Sequence, residues 1–134
     1  MADGPQTLPP CADWIVDGLL AVMEMPCQAE MRALKDGGFA LVVNLTHKAG
    51  ATAMAKACGL EGVHLPVEDM TAPTQAQIVQ FIRVVTPYIR TGRPVMVHCM
   101  GGRGRSGTMA ACYLVKAGMD PWGAMREVRR RRSG

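Results

Sequence analysis

The segment from His98 to Thr108, which reads HCMGGRGRSGT, limits the fold of this chain more than any other stretch. The apolar run PVMVH leads into it from Pro94 and predicts a buried strand, a candidate for the central strand of a sheet. The residues that follow, CMGGRGR, contain too many glycines for either a helix or a strand. A helical pattern begins at Ser106 and ends at Gly118. The chain must therefore accommodate a strand, a glycine-rich loop and a helix in direct succession.

The glycine-rich loop has the features of an anion-binding site. Glycines permit backbone angles that other residues resist, so successive N–H groups can turn inward; the glycines expected to allow this are Gly101, Gly102, Gly104 and Gly107. The helix that starts near Arg105 adds its positive end, and the guanidinium of Arg105 can contact two phosphate oxygens at once. A phosphate monoester fits this field. The positions predicted to bind phosphate are Met100, Gly101, Gly102, Arg103, Gly104 and Arg105.

Cys99 is the predicted nucleophile of this loop. The neighbouring cations and the start of the helix favour the thiolate form of a cysteine, and a thiolate beneath a bound phosphate is placed for in-line attack on phosphorus. Ser106 can donate a hydrogen bond to the sulfur and ease its departure later in the reaction. His98 precedes the nucleophile, and we expect it to order the loop by hydrogen bonding rather than to react.

Strand and helix patterns alternate along the rest of the chain, which places it in the α/β class. Asp17 and Gly18 separate two short apolar runs and indicate a hairpin. We expect Pro26 to lie in the first turn of a helix, and Pro87 to kink or break another near its end. The predicted strands cover 14–16, 19–22, 39–45, 62–65 and 94–98, and the predicted helices begin near 26, 49, 74, 106 and 121.

The length and composition are those of one globular domain. The chain has 134 residues, of which 49% are apolar, and we divide it into an N-terminal arm over 1–12 and a single catalytic domain over 13–134. The five cysteines are irregularly spaced without a CxxC pair, so we expect no metal site and reduced thiols. The first ten residues lack an apolar core, and no apolar run is long enough to span a membrane. We expect a cytoplasmic protein, with a nuclear location as the alternative.

Cys-x5-Arg followed by serine, within the fuller string HCxxGxxRSGT, resembles the protein tyrosine phosphatase superfamily. The opening WIVDGLLAV and the run FALVVNLT extend this resemblance to small atypical dual-specificity phosphatases of the compact archaeal and eukaryotic type. The resemblance implies a central, mostly parallel sheet of four to five strands flanked by helices. It also implies metal-independent, cofactor-free hydrolysis of phosphotyrosine, and of phosphoserine or phosphothreonine, through a phosphocysteine intermediate. A non-catalytic phosphate-binding module is the alternative.

Such a reaction needs an acid to protonate the leaving oxygen, and we look for it on a loop upstream of the nucleophile. Glu68 and Asp69 are the candidates, in the stretch PVEDMTAPTQAQI. This stretch resembles the acid loop of the small dual-specificity phosphatases, where an aspartate precedes a proline and then a helix. Alignment on Pro73 selects Asp69, while Glu68, or neither residue, stays an alternative.

The basic residues leave the substrate open. The net charge is +4, and Arg103 in the loop and five arginines among the last nine residues favour anionic partners. Phosphorylated proteins or peptides are the first expectation, and phosphoinositides or an RNA 5′-triphosphate are the alternatives. No aromatic residues lie among the terminal arginines, so we expect no stable nucleic-acid binding, and we expect a monomer. We interpret Cys112 as a core thiol, and His47 and Lys48 as candidates for the rim of the site.

Overall fold

A computed structural model describes residues 8–68, 71–100 and 104–132. The strands are β1 (Asp13–Val16), β2 (Leu20–Met23), β3 (Leu41–Asn44), β4 (Glu61–His64) and β5 (Val95–His98). The helices are α1 (Gln28–Asp36), α2 (Ala49–Ala57), α3 (Gln75–Arg90), α4 (Gly104–Lys116) and α5 (Pro121–Arg131). The α/β class is confirmed, and each predicted element is present within a few residues of its expected bounds.

The strands form a five-stranded sheet in the order β1-β2-β5-β3-β4. β1 and β2 pair antiparallel across a turn in which Gly18 has φ +73°, the left-handed region that glycine enters without strain. The pairs β2–β5, β5–β3 and β3–β4 are parallel, so the expected mostly parallel sheet is confirmed. β5 lies in the middle and is hydrogen-bonded on both edges, as expected for the strand that leads into the glycine-rich loop.

Helices cover both faces of the sheet. Every residue of β2, β3 and β5 is buried, which explains why these strands read as continuous apolar runs rather than alternating ones. On one face α3, α4 and α5 contribute to a core that includes Phe81, Met109 and Val128. On the other face α1 and α2 pack through Met31, Leu34 and Ala55. The result is a three-layer domain with its edges at β1 and β4.

The expectation that Pro26 lies in a helix was wrong, and so was the expectation of a break at Pro87, while a kink there stays a prediction. α1 begins at Gln28 with Cys27 as its N-cap, and the Glu30 carboxylate accepts from the Cys27 backbone N–H at 2.9 Å, so Pro26 lies outside the helix. α3 continues through Pro87 to Arg90. Proline removes one helical hydrogen bond, but the apolar stripe of α3, which includes buried Val85 and Ile89, packs against the sheet on both sides of Pro87 and holds the helix together.

The terminal arginines belong partly to the fold. Arg131, the last residue of α5, pairs with Glu127 one turn earlier and with Asp17 in the turn after β1. The contact ties the last helix to the first hairpin.

Of the helices in the described ranges, none has both the length and the apolar character needed to cross a bilayer.

Candidate active site

The carboxyl ends of the parallel strands meet at one edge of the sheet, where α/β proteins usually bind ligands. In the pairing register, His98 at the end of β5 lies between Met23 of β2 and Asn44 of β3. Cys99 therefore leaves the middle of this edge, with the loops after β2 and β3 on either side. Its side chain is only 2% exposed. The predicted nucleophile thus lies in a buried part of this edge.

Ser106 faces the sulfur of Cys99. The Ser106 Oγ and Cys99 Sγ atoms are 3.5 Å apart, and both side chains are buried. α4 begins at Gly104, slightly earlier than expected, so Ser106 lies in the first turn of the helix. In the structure the Cys99 thiol donates to the Ser106 oxygen, and the reverse bond, in which the hydroxyl donates to a thiolate, stays a prediction.

Arg105 is anchored by two other loops of the same edge. Its Nη1 atom donates to the backbone carbonyl of Val67 at 2.9 Å and to that of Leu45 at 3.4 Å. The side chain is only 6% exposed, so these bonds fix the plane of the guanidinium in a region of little solvent. The group that would clamp phosphate is therefore oriented by the loops after β3 and β4.

Asn44 organises one of those loops, and sequence reasoning missed it. Its Oδ1 accepts from the Thr46 backbone N–H at 2.9 Å and from the Thr46 hydroxyl at 2.7 Å. Its Nδ2 donates to the Lys48 carbonyl at 2.9 Å and to the Thr52 hydroxyl at 3.1 Å. Asn44 is fully buried, so these bonds hold the turn that carries Leu45. The available signal was an asparagine that ends an otherwise apolar strand, because such a buried amide needs partners.

The segment that leads to the predicted acid is fixed at the same edge. Val67 N donates to the Leu45 carbonyl at 2.9 Å, and the Gln77 side chain donates to the Pro66 carbonyl at 3.1 Å. Glu68, the alternative acid, is exposed. Asp69 follows directly but lies outside the described residues, as do Gly101, Gly102 and Arg103 of the loop.

His98 is fully buried behind the nucleophile. Among the residues that the structure describes, neither ring nitrogen has a hydrogen-bond partner, so the expectation that His98 orders the loop through such a bond has no support there. Burial, with a smaller contribution from the charge of His64, lowers the pKa of His98 to about 4. The ring is therefore neutral at physiological pH.

The glycines of α4 differ from their expected role. Gly104 and Gly107 both lie in the helix, and neither is among the described glycines with positive φ. A Cβ built at Gly107 would come within 2.6 Å of the Nη1 atom of Arg132. Glycine at 107 therefore leaves space for the arginine of the last turn. It does not supply an unusual backbone angle, because a helix needs none.

The remaining predicted residues lie on the periphery. Met100 is half exposed beside the loop after β2, whose Met25 N–H donates to the Met100 carbonyl at 3.3 Å. His47 and Lys48 are exposed in the loop after β3, where a rim role stays a prediction. Cys112 is half-buried on α4 rather than in the core, and burial raises the pKa of its thiol.

Comparisons with known proteins agree with this arrangement. The structure of Tk-PTP in its active form superimposes with a TM-score of 0.84 at 35% identity, covering 93% of this chain and 86% of that one. Phosphatidylglycerophosphatase and protein-tyrosine phosphatase 1 of Mus musculus is 40% identical over 62 residues, 46% of this chain and 32% of the relative. The chain thus spans about a third of the length of that relative. Phosphatidylglycerophosphate phosphatase PTPMT2 of Arabidopsis thaliana is 27% identical over 105 residues, 75% of this chain and 46% of the relative.

A family described as "Polymorphic toxin system, DSP-PTPase phosphatase" matches residues 19–119. The match begins just before β2 and ends just after α4, so it includes the central strand, the glycine-rich loop and the two side chains that face each other, Cys99 and Ser106. With its family match and its fold in agreement, the chain belongs to the DSP-PTPase family of the protein tyrosine phosphatase superfamily.

Proposed function

We propose that this protein hydrolyses phosphate monoesters through a phosphocysteine formed on Cys99. One observation carries the proposal most directly: the Cys99 sulfur lies buried at the carboxyl end of the central strand, 3.5 Å from the oxygen of Ser106, which lies beside Arg105 in the first turn of the following helix. A thiol, a hydroxyl donor and a guanidinium at one helix start form a set suited to phosphoryl transfer.

In the first step the Cys99 thiolate attacks phosphorus in line with the leaving oxygen. The sulfur–phosphorus bond forms as the phosphorus–oxygen bond breaks, and Asp69 gives its proton to the departing oxygen. Arg105 contacts the equatorial oxygens, and its Nη1 anchors on Leu45 and Val67 let it do so without reorganising. The carbonyl of Val67, two residues before Asp69, is held at the arginine, which supports placing the acid there.

In the second step water attacks the phosphocysteine. The Asp69 carboxylate takes a proton from this water, the phosphorus–sulfur bond breaks, and inorganic phosphate leaves. The hydroxyl of Ser106 donates to the sulfur as its negative charge returns, which makes the thiolate a better leaving group. The enzyme is regenerated with Cys99 as thiolate and Asp69 protonated.

Trapping the intermediate tests this mechanism. The protein is mixed with radiolabelled phosphotyrosine peptide, quenched in acid and examined for label on Cys99 by peptide mapping. Cys99→Ser should abolish labelling and turnover, and full turnover by this variant would refute the proposal. Asp69→Asn should slow alkyl phosphates far more than p-nitrophenyl phosphate, since only the alkyl leaving group needs the proton. Glu68→Gln is the matched control and should leave the ratio of the rate for alkyl phosphates to the rate for p-nitrophenyl phosphate unchanged.

We propose phosphorylated proteins or peptides as the substrate class, with phosphatidylglycerophosphate or another anionic phospholipid as the second candidate. The relative that is 40% identical carries both activities in its name and so supports both candidates, whereas the Arabidopsis thaliana relative is named for the lipid substrate alone, which supports the second. Arg103 in the loop adds positive charge that would suit a polyanion.

A substrate panel distinguishes the two candidates. It contains phosphotyrosine and phosphothreonine peptides, phosphatidylglycerophosphate and phosphoinositides in vesicles, and an RNA 5′-triphosphate. A kcat/KM for peptides above that for lipids supports the first candidate, and the reverse order supports the second. Arg103→Leu should lower kcat/KM for polyanionic substrates more than for the peptides if the loop reads the additional charge.

A further inference from the structure

Three neighbouring strands of the sheet end in register at its carboxyl edge. His64 is the last residue of β4 and lies opposite Asn44 at the end of β3, and Asn44 in turn lies opposite His98 at the end of β5. Asn44 and His98 are fully buried, whereas His64, on the edge strand, is half-buried. His64 thus lies in the same row of strand ends as the residue before Cys99, although the proposed reaction gives it no role.

The side chain of His64 is hydrogen-bonded to the loop after β3. Its Nε2 atom lies 2.5 Å from the backbone carbonyl oxygen of Thr46. Because a carbonyl oxygen can only accept, the ring must carry a proton on Nε2, and it does so in the charged form and in one of its two neutral tautomers. Thr46 is only 1% exposed, so water has little access to this carbonyl and His64 supplies a partner for it.

This bond extends the pairing between the loop after β3 and the segment that begins at the end of β4. The Asn44 carbonyl accepts from the backbone N–H of Leu65 at 2.9 Å. The next carbonyl, that of Leu45, accepts from the backbone N–H of Val67 at 2.9 Å. The third carbonyl in succession accepts from the imidazole of His64. The side chain therefore continues the pairing by one residue where the backbone donors end.

The paired segments are the ones on which Arg105 rests. Its Nη1 atom donates to the Leu45 carbonyl at 3.4 Å and to the Val67 carbonyl at 2.9 Å. The Leu45 carbonyl belongs to the peptide unit on one side of the Thr46 Cα atom, and His64 holds the carbonyl of the peptide unit on the other side. With a partner on each unit, the backbone at Thr46 cannot rotate freely, and the Leu45 carbonyl stays directed at the guanidinium.

We propose that His64 is a positioning residue for Arg105, an inference that rests on the proposed hydrolysis of phosphate monoesters. It acts through the Thr46 carbonyl and holds the turn that carries the Leu45 anchor of the guanidinium. It is not a catalytic residue, because its Nε2 atom is bonded to the backbone of the protein itself. A small displacement of a group that contacts the transition state is costly, so loss of this bond should lower activity in a protein that is still folded.

Glutamine and asparagine at position 64 separate the hydrogen bond from the imidazole ring. The amide nitrogen of glutamine can take nearly the place of Nε2 and donate to Thr46, whereas the shorter asparagine places its nitrogen near the position of Nδ1. His64→Gln should keep kcat/KM for p-nitrophenyl phosphate within about twofold of the unmodified chain, and His64→Asn should lower it at least about fivefold. Full activity of His64→Asn, or equal losses in the two variants, overturns the proposal.

A double-mutant cycle determines whether the effect passes through Arg105. In an Arg105→Lys background, His64→Asn should lower kcat/KM by less than about twofold, because the oriented guanidinium has already been removed. The same loss in both backgrounds would show that His64 acts elsewhere and would overturn the proposal. Urea unfolding defines a temperature at which all four proteins of the cycle are folded, so the rates compare folded protein only.

The leaving group separates this role from an effect on the general acid. Arg105 contacts oxygens that stay on phosphorus, so His64→Asn should slow the hydrolysis of alkyl phosphates and of p-nitrophenyl phosphate by the same factor. A loss confined to alkyl phosphates would place the effect on the proposed acid, Asp69, and would contradict a role through Arg105.

The hydrogen bond itself can be tested without turnover. Heteronuclear NMR of the isotopically labelled chain, at a pH where the ring of His64 is neutral, should show the tautomer with its proton on Nε2. A proton on Nδ1 instead would overturn the proposal. Full turnover by Cys99→Ser would refute the phosphocysteine mechanism and leave the NMR result unchanged, so failure of the proposed function and failure of this inference can be told apart.

Discussion

Replacing Asn44 with alanine should weaken both the fold and the catalytic edge of the sheet. The substitution removes four hydrogen bonds, and two of them satisfy the backbone N–H and the hydroxyl of Thr46, which is itself buried. A buried donor left without a partner costs about 1–3 kcal/mol, whereas the partners at Lys48 and Thr52 are nearer solvent and cost less. We expect the free energy of unfolding to fall by about 3 kcal/mol.

The same substitution should lower activity, because the turn held by Asn44 carries the Leu45 carbonyl that accepts from Arg105. We expect kcat/KM for p-nitrophenyl phosphate to fall at least about tenfold, since a small displacement of a transition-state group is costly. Thr52→Val is the control: it removes one of the four bonds and should cost about 1 kcal/mol with little change in kcat/KM.

Urea unfolding followed by circular dichroism gives the stabilities, and initial rates at a temperature where every variant is folded give the activities. An Asn44→Ala protein that loses no more stability than Thr52→Val would refute the hydrogen-bond argument. An Asn44→Ala protein that is destabilised but fully active would refute the link from Asn44 to Arg105.

Three further predictions concern His98, Ser106 and Gly107. Because burial lowers the pKa of His98 to about 4 from an unfolded value near 6.5, the unfolded state binds the extra proton first. The contribution of His98 to the free energy of unfolding should therefore be constant above pH 6.5 and should fall by about 3 kcal/mol as the pH is lowered from 6.5 to 4. This pH dependence should be absent in His98→Asn. Urea unfolding at each pH measures both. In Ser106→Ala, phosphorylation of Cys99 should stay fast, but hydrolysis of the phosphocysteine should slow at least about tenfold. Labelled enzyme should therefore accumulate. If the amount of labelled enzyme is unchanged, Ser106 does not assist departure of the sulfur. Gly107→Ala should change the free energy of unfolding by less than about 1 kcal/mol, because alanine favours the helix and only the end of the Arg132 side chain must move. A loss of several kcal/mol would show that the Arg132 side chain cannot move aside.

The sequence predicted those features that local patterns determine. The strands that end at Asn44 and His98 are short, largely apolar and bounded by polar or glycine-rich segments, so their burial and parallel pairing follow from the pattern. The spacing of Cys99 and Ser106 also predicted their contact, because a short loop and the first turn of α4 connect them. In these places local and global preferences agree.

Features that depend on tertiary contacts could not be read in the same way. The bonds of Asn44 and the carbonyl anchors of Arg105 join loops that are far apart along the chain, so no short pattern reveals them. Pro87 was expected to kink or break α3 near its end, but the helix does not break there and continues to Arg90, with Val85 and Ile89 buried on either side of the proline. Gly107 was assigned to backbone flexibility, but what the structure shows at this position is the close approach of the side chain of Arg132, which follows α5.

The position of β5 divides the candidate site into parts of unequal stability. β5 is hydrogen-bonded to β2 and β3, so it should separate from them only when the whole sheet unfolds. The position of Cys99 should therefore be kept until then, and the amides of β5 should be among the slowest to exchange with deuterium. β4 is an edge strand, and the segment that leads from it to Asp69 can open while the centre of the sheet stays paired. We therefore expect the segment that leads to Asp69, the proposed general acid, to open before the central strands on heating. Turnover of alkyl phosphates should then decline at a lower temperature than the circular dichroism signal of the fold.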